Sequence, residues 1–148
     1  MAQQASAEKL LTAFPIIESI EEDGLKQAVI DCWLRVWRES GWDNLEDCPF
    51  NPAFSDASLV GHVNCVTALV LAAASAIEAH YSEVSFDRDL LVAGALLHDL
   101  SKMVEIERKD EHEAQYSQMN QMLPHAVYGA FVAMTHELPM KLINIIMA

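Results

Sequence analysis

Leu90–Lys102 reads LLVAGALLHDLSK. Its first eight residues are apolar or glycine, and a histidine, an aspartate and, three residues further on, a lysine follow at once. With Asp87 or Asp89 ahead of it as a cap, the run predicts a helix buried on most sides and ending near His98. Apolar helices rarely carry His and Asp inward unless those groups are paired or ligate something. Adjacent His and Asp where the backbone turns can both reach one ion. Imidazole nitrogen with carboxylate oxygen suits zinc, iron, manganese or a similar divalent metal.

The neighbouring segments extend the helical reading. Val63–Ile77, VNCVTALVLAAASAI, is the most apolar stretch and has His62 at its head. It is shorter than the ~20 residues needed to span a bilayer. Asn64, Thr67 and Ser75 interrupt it, so it predicts a core helix from Asp56 or Ser58 to about Tyr81, apolar nearly all round and central. Upstream, Leu25, Ala28, Val29, Cys32, Trp33 and Val36 share one helical face, which Gly41 terminates. Ser6 caps a short first helix carrying Leu10, Leu11 and Phe14.

Asp43–Asp56 predicts a loop pinned to the core by Phe50 and Phe54. Val104–Ile106 alternates and predicts a short extended piece, and Lys109–Met119 is polar and expected to be exposed. A helix is expected from about His125 to His136, and a last one after Pro139 with Leu142, Ile145 and Ile146 on its apolar face. The expectation is therefore an all-α bundle of at least five helices. It forms a single domain over 1–148, with 1–24 as an N-terminal extension and 25–148 as the core.

Composition narrows the function classes. The 148 residues carry a formal charge of -13, with 22 acidic against 9 basic side chains. Such a surface repels phosphate backbones and anionic lipid heads, so neither nucleic acid nor membrane is expected as a partner. A small anionic substrate stays compatible, because a bound metal dominates its local field. Cys32, Cys48 and Cys65 make an odd set without a C-x-x-C pair. They are expected to be reduced thiols of a cytoplasmic protein, and the start, MAQQASAEKL, has no signal-peptide pattern.

His62, AGALLHDLSK and the segment LPHAVYGAFVAMTHELP together resemble the HD superfamily of metal-dependent hydrolases, whose pattern reads A-x-L-L-H-D-x-G-K. The segment LKQAVIDCWLRVWRESGW is similar to the leader helix of HD-domain phosphohydrolases. The likeness runs from roughly Leu25 to the end of the chain. It implies that His62, His98 and Asp99 ligate metal, and that Asp99 also orients water. It further implies that Lys102 faces substrate phosphate and that His125 serves a second metal or the substrate, which places Asp99, Lys102 and His125 in catalytic roles. The cofactor implied is one divalent ion, or two, drawn from Zn, Mn, Fe, Mg, Co or Ni.

Two departures stand out. Ser101 occupies the place of the family's glycine, which raises the question of the turn after Asp99. The family also closes its site with a further Asp on a later helix, whereas no Asp follows Asp110 here. The resemblance thus implies a C-terminally truncated or divergent member; if the chain as it stands binds metal tightly and turns over a phosphate ester, His125 or an acidic residue such as Glu105 completes the site instead. The leading expectation is a hydrolase of a phosphate ester or nucleotide-like small molecule. The alternatives are a non-catalytic ligand-binding or assembly module and a di-iron oxygenase. An uncovered apolar face on the last helix would favour a homodimer. His80, His112 and His136 are expected to be surface residues.

Overall fold

Trp33 organises the core. Its ring packs against Phe14 at 4.7 Å, and its indole N–H donates to the Leu96 carbonyl at 3.2 Å. It thereby joins three parts of the chain in the computed structural model, which describes residues 5–54, 56–111, 113–123 and 126–148. Helix α1 (Ala7–Ala13) starts at Ser6, whose hydroxyl accepts from the Lys9 amide, and a 3-10 turn over Pro15–Ser19 follows it. Leu10, Phe14, Ile17 and Ile20 are fully buried, so the segment read as an extension contributes to the same core as the rest. Helix α2 (Asp23–Glu39) buries Leu25, Val29, Cys32, Trp33 and Val36, the face expected from the spacing, and ends at Ser40.

Helix α3 (Leu59–His80) and helix α4 (Arg88–Leu97) are neighbours, and α4 is the inner of the two. Val92 through Leu97 are all buried between α2, α3 and α8 (Met140–Met147). Gly94 makes the close approach of α8 feasible: a Cβ there would stand 3.2 Å from Cγ2 of Ile145. The expectation that α3 is the most enclosed helix is overturned. Only Leu59, Val60, Val63, Thr67 and Ala74 are buried, while Leu69 is 63% exposed. The cause is position: α3 packs on α4 along one side and leaves its other long side open. By length and composition α3 could cross a membrane, although its first turns are folded into the core.

Beyond α4 lie α5 (Lys102–Glu105), an antiparallel hairpin of β1 (Ile106–Arg108) and β2 (Ala114–Tyr116), α6 (Gln118–Met122), α7 (Val127–Thr135) and α8. The hairpin is a small addition to an otherwise helical protein. The extended piece expected at Val104–Ile106 begins only at Ile106, because Val104 and Glu105 close a helical turn onto the Ser101 carbonyl. On α8 the buried face is Leu142, Ile143 and Ile146: Leu142 and Ile146 are buried as expected, whereas Ile143 takes the place expected for Ile145, which is turned partly outward.

Candidate metal centre

Three segments deliver the candidate ligands. Ser58 caps α3 by accepting from the Gly61 amide at 3.0 Å, and His62 sits in the first turn that this cap fixes. His98 is the C-cap of α4 in right-handed geometry (φ -57°, ψ -36°). Its amide still bonds the Gly94 carbonyl, so the helix is not broken before it. Tight turns then carry the chain through Asp99 and Leu100 into α5. Leu100 is fully buried and anchors the turn. Ser101 has φ -63° and ψ -23°, a conformation open to any residue, so serine in place of glycine leaves this turn undisturbed.

His62, His98 and Asp99, far apart along the chain or adjacent in it, converge. Their ligand atoms all lie within 4.8 Å of one another. Asp99 Oδ2 is 3.0 Å from His62 Nε2 and 3.3 Å from His98 Nε2. His98 Nδ1 donates to the Ala95 carbonyl at 2.7 Å. A carbonyl only accepts, so Nδ1 carries a proton, and Nε2 is left as the ring atom that faces Asp99 and is available to a metal once it gives up its own proton. The His62 ring stacks almost parallel on Phe50, centroids 4.9 Å apart.

The electrostatics fit this arrangement. Burial by itself lowers the His98 pKa, but the hydrogen bond and charge of Asp99, with the Ala95 carbonyl, outweigh it and leave the imidazolium favoured above its ordinary range. Burial likewise raises Asp99, yet the bond and charge of His98, then Lys102 and His62, outweigh it and hold the carboxyl below the usual carboxylate range. Without an ion, the proton favoured on His98 offsets the Asp99 charge that a divalent cation would otherwise offset. Two imidazole nitrogens and a carboxylate oxygen on one point are a sound donor set for such a cation, and the Ala95 bond is the outer support that ligating histidines use.

Lys102 Nζ stands 3.9 Å from Asp99 Oδ2 with its side chain 21% exposed, at the edge of the cluster and not deep in the core. Glu105 is buried on α5 but is not part of the three-donor group. His125 and His112 fall outside the described residues. His80 bonds the Ala76 carbonyl at the end of α3, and His136, expected on the surface, has its Nε2 buried at the end of α7. Phe50 is the site residue that helical periodicity could not reveal. Phe54 does not pin the loop as expected: it stacks on Phe50 at 6.0 Å and stays 59% exposed.

A cavity of about 670 Å³ lies among Trp42, Asp47, Arg108 and Glu113 and does not include the cluster. Glu46, Asp56 and Glu111 also line it, and such charge repels a phosphate ester.

The comparisons match no curated protein and no solved structure. A family model described as the HD domain matches residues 62–148, a stretch that begins at His62 and contains His98, Asp99 and Lys102. With more than half of its length matched, and its His–His–Asp group drawn together in space, the chain belongs to the HD-domain family.

Proposed function

We propose that the protein is a metal-dependent hydrolase of a phosphate ester or nucleotide-like small molecule. The observation that carries this reading is the convergence of His62, His98 and Asp99 with the Lys102 ammonium 3.9 Å from Asp99. These three side chains would hold the ion. A divalent ion bound there supplies Lewis acidity, making water more acidic and polarising a phosphoryl oxygen.

The chain's own residues do the rest. Asp99, only 5% exposed, offers a carboxylate that both ligates and accepts a hydrogen bond from water. Its low pKa keeps it ionised. The Ala95 carbonyl holds the His98 ring with Nε2 inward. Lys102 places a positive charge where a substrate phosphate would approach, offsetting charge that builds on its oxygens. His125 is carried as a further catalytic or second-metal residue on the resemblance alone.

A second reading, a non-catalytic module, is favoured by the three-donor count of the cluster among the described residues, where the resemblance implies a further carboxylate. The free thiols of Cys32, Cys48 and Cys65 support a cytoplasmic protein, and the charge of -13 one that binds neither nucleic acid nor anionic membrane. The open side of α3 supports self-association as a homodimer. Elemental analysis of the purified protein, followed by phosphate esters and nucleotides with added Zn, Mn, Fe, Mg, Co or Ni, tests the enzyme reading. Stoichiometric metal with turnover supports it. A protein that takes up metal without hydrolysing any of them supports the module.

A further inference from the structure

His98 and His62 are held in different ways. His98 is fixed by its Nδ1 bond to the Ala95 carbonyl. The Nδ1 of His62 has no protein hydrogen-bond partner among the described residues, and its ring instead lies against Phe50, centroids 4.9 Å apart and planes within 14°. We propose that Phe50 is the positioning residue of His62, an aromatic plate that sets the plane of the imidazole so that Nε2 points at Asp99.

The loop bearing Phe50 is built for rigidity. The Leu59 amide donates to the Cys48 carbonyl at 2.7 Å, and the Phe50 amide donates to the Ala57 carbonyl at 3.0 Å. Pro49 and Ser58 pair as an antiparallel bridge at the point where α3 begins. The loop is thereby tied to the same cap that fixes His62, and the distance between the two rings is set by backbone bonds. Inside the loop, the Phe54 amide donates to the Asn51 carbonyl at 2.9 Å and the Ala53 amide to Asn51 Oδ1 at 2.9 Å. Phe54 backs the outer face of Phe50 with planes within 7°. A flat ring on one face leaves the His62 nitrogens free while restricting its rotation about χ2, which is what a ligand lacking a hydrogen-bonded support requires.

This inference rests on the metal-binding reading, and the test separates the two. The full chain and the variants Phe50→Leu, Phe50→Tyr and Phe54→Ala are titrated with Co²⁺ by calorimetry and by the visible d–d spectrum. In parallel, NMR records the His62 and His98 ring protons of the metal-free proteins at fixed pH. Phe50→Leu is expected to weaken Co²⁺ binding about three- to tenfold, the scale of one aromatic stack. It should also change the d–d band and abolish the ring-current shift of His62 while leaving His98 unmoved. Phe50→Tyr should restore all three signals, and Phe54→Ala should cost less. Wild-type affinity and spectrum in a folded Phe50→Leu protein would overturn the proposal. If the wild-type chain takes up no Co²⁺, the metal reading fails, and unchanged His62 proton shifts in Phe50→Leu then overturn the positioning role independently.

Discussion

Asp99 Oδ2 stands 3.0 Å from His62 Nε2, a contact that ties the turn after α4 to the first turn of α3. The same oxygen lies 3.3 Å from His98 Nε2. This carboxylate is therefore the hub of the cluster, and its removal should undo metal binding while sparing much of the fold. Asp99→Asn is expected to lose metal by more than tenfold in affinity, measured by calorimetry, because an amide is a poor anionic ligand. Asp99→Asn that retains wild-type affinity would remove Asp99 from the ligand set.

The pH dependence of stability should reverse when metal is bound. In the metal-free chain the His98 pKa is raised, so its contribution is fully present below the unfolded value near 6.5 and is lost as pH rises through the folded value. The Asp99 pKa is lowered, so its contribution is present above the unfolded value near 3.8 and is lost as pH falls through the folded value. With chelator, the pair should therefore stabilise most between those two limits, and Tm should fall as pH climbs past the His98 value. Metal requires the neutral imidazole and competes with its proton. With metal, Tm should climb over the same alkaline step. Identical pH profiles with and without metal would contradict a shared site.

Lys102 should separate charge from folding. Its side chain is 21% exposed at the edge of the cluster, with its ammonium 3.9 Å from Asp99 Oδ2. Lys102→Ala is expected to fold and to bind metal as well as or better than the wild type, since a repelling cation is gone. If the chain hydrolyses phosphate esters, kcat/KM should fall about 10²-fold for anionic esters and little for neutral ones. Equal losses on both classes would contradict a phosphate-facing role.

Much of this architecture was legible in the chain, and the misses share a cause. Helical spacing in α2 and the run Val92–Leu97 marks the buried faces directly, because period and cap agree. His98 and Asp99 were legible because polar groups at the end of an apolar helix demand a partner. The openness of α3 was not, since apolarity measures the tendency to be buried and says nothing of which neighbour does the burying. Phe50 was hidden for another reason. A loop aromatic has no period, and its stacking on His62 depends on the backbone bonds between Cys48, Ala57 and Leu59. The exchange of Ile145 for Ile143 on the buried face of α8 reflects a helix so apolar that several faces look equivalent.

Thiol reactivity should follow burial. Cys32 and Cys48 are buried, and desolvation pushes both thiols up to about 12. Nearby Asp31 adds to the effect at Cys32, whereas Lys102 opposes it at Cys48. Cys65 is exposed on α3. A disulfide-exchange reagent at pH 8 should label Cys65 rapidly in the native protein and reach the other two only after unfolding. Fast labelling of Cys48 in the folded chain would show that the loop carrying Phe50 opens readily.

The end of α7 stores strain that one substitution should release. Ala133 and Met134 offer their carbonyls to the Leu138 and Glu137 amides at 3.1 Å each, the paired bonds of a Schellman cap. The residue at the left-handed position is Glu137, with φ 56°, where glycine is the usual occupant. A left-handed L-residue costs roughly 1–2 kcal/mol, and part of that gain is offset by the greater freedom of glycine in the unfolded chain. Buried Leu138 beside the cap keeps the chain direction into α8, so the geometry should survive the change. Glu137→Gly is therefore expected to stabilise the protein by about 0.5–1 kcal/mol, raising Tm by roughly 1–4 °C for a domain of this size. It should leave metal affinity untouched, because Glu137 is not in the His62, His98 and Asp99 cluster. Urea and thermal unfolding with the chelated protein measure the effect, and a Glu137→Gly variant less stable than wild type would show that the glutamate side chain makes a contribution larger than the backbone strain.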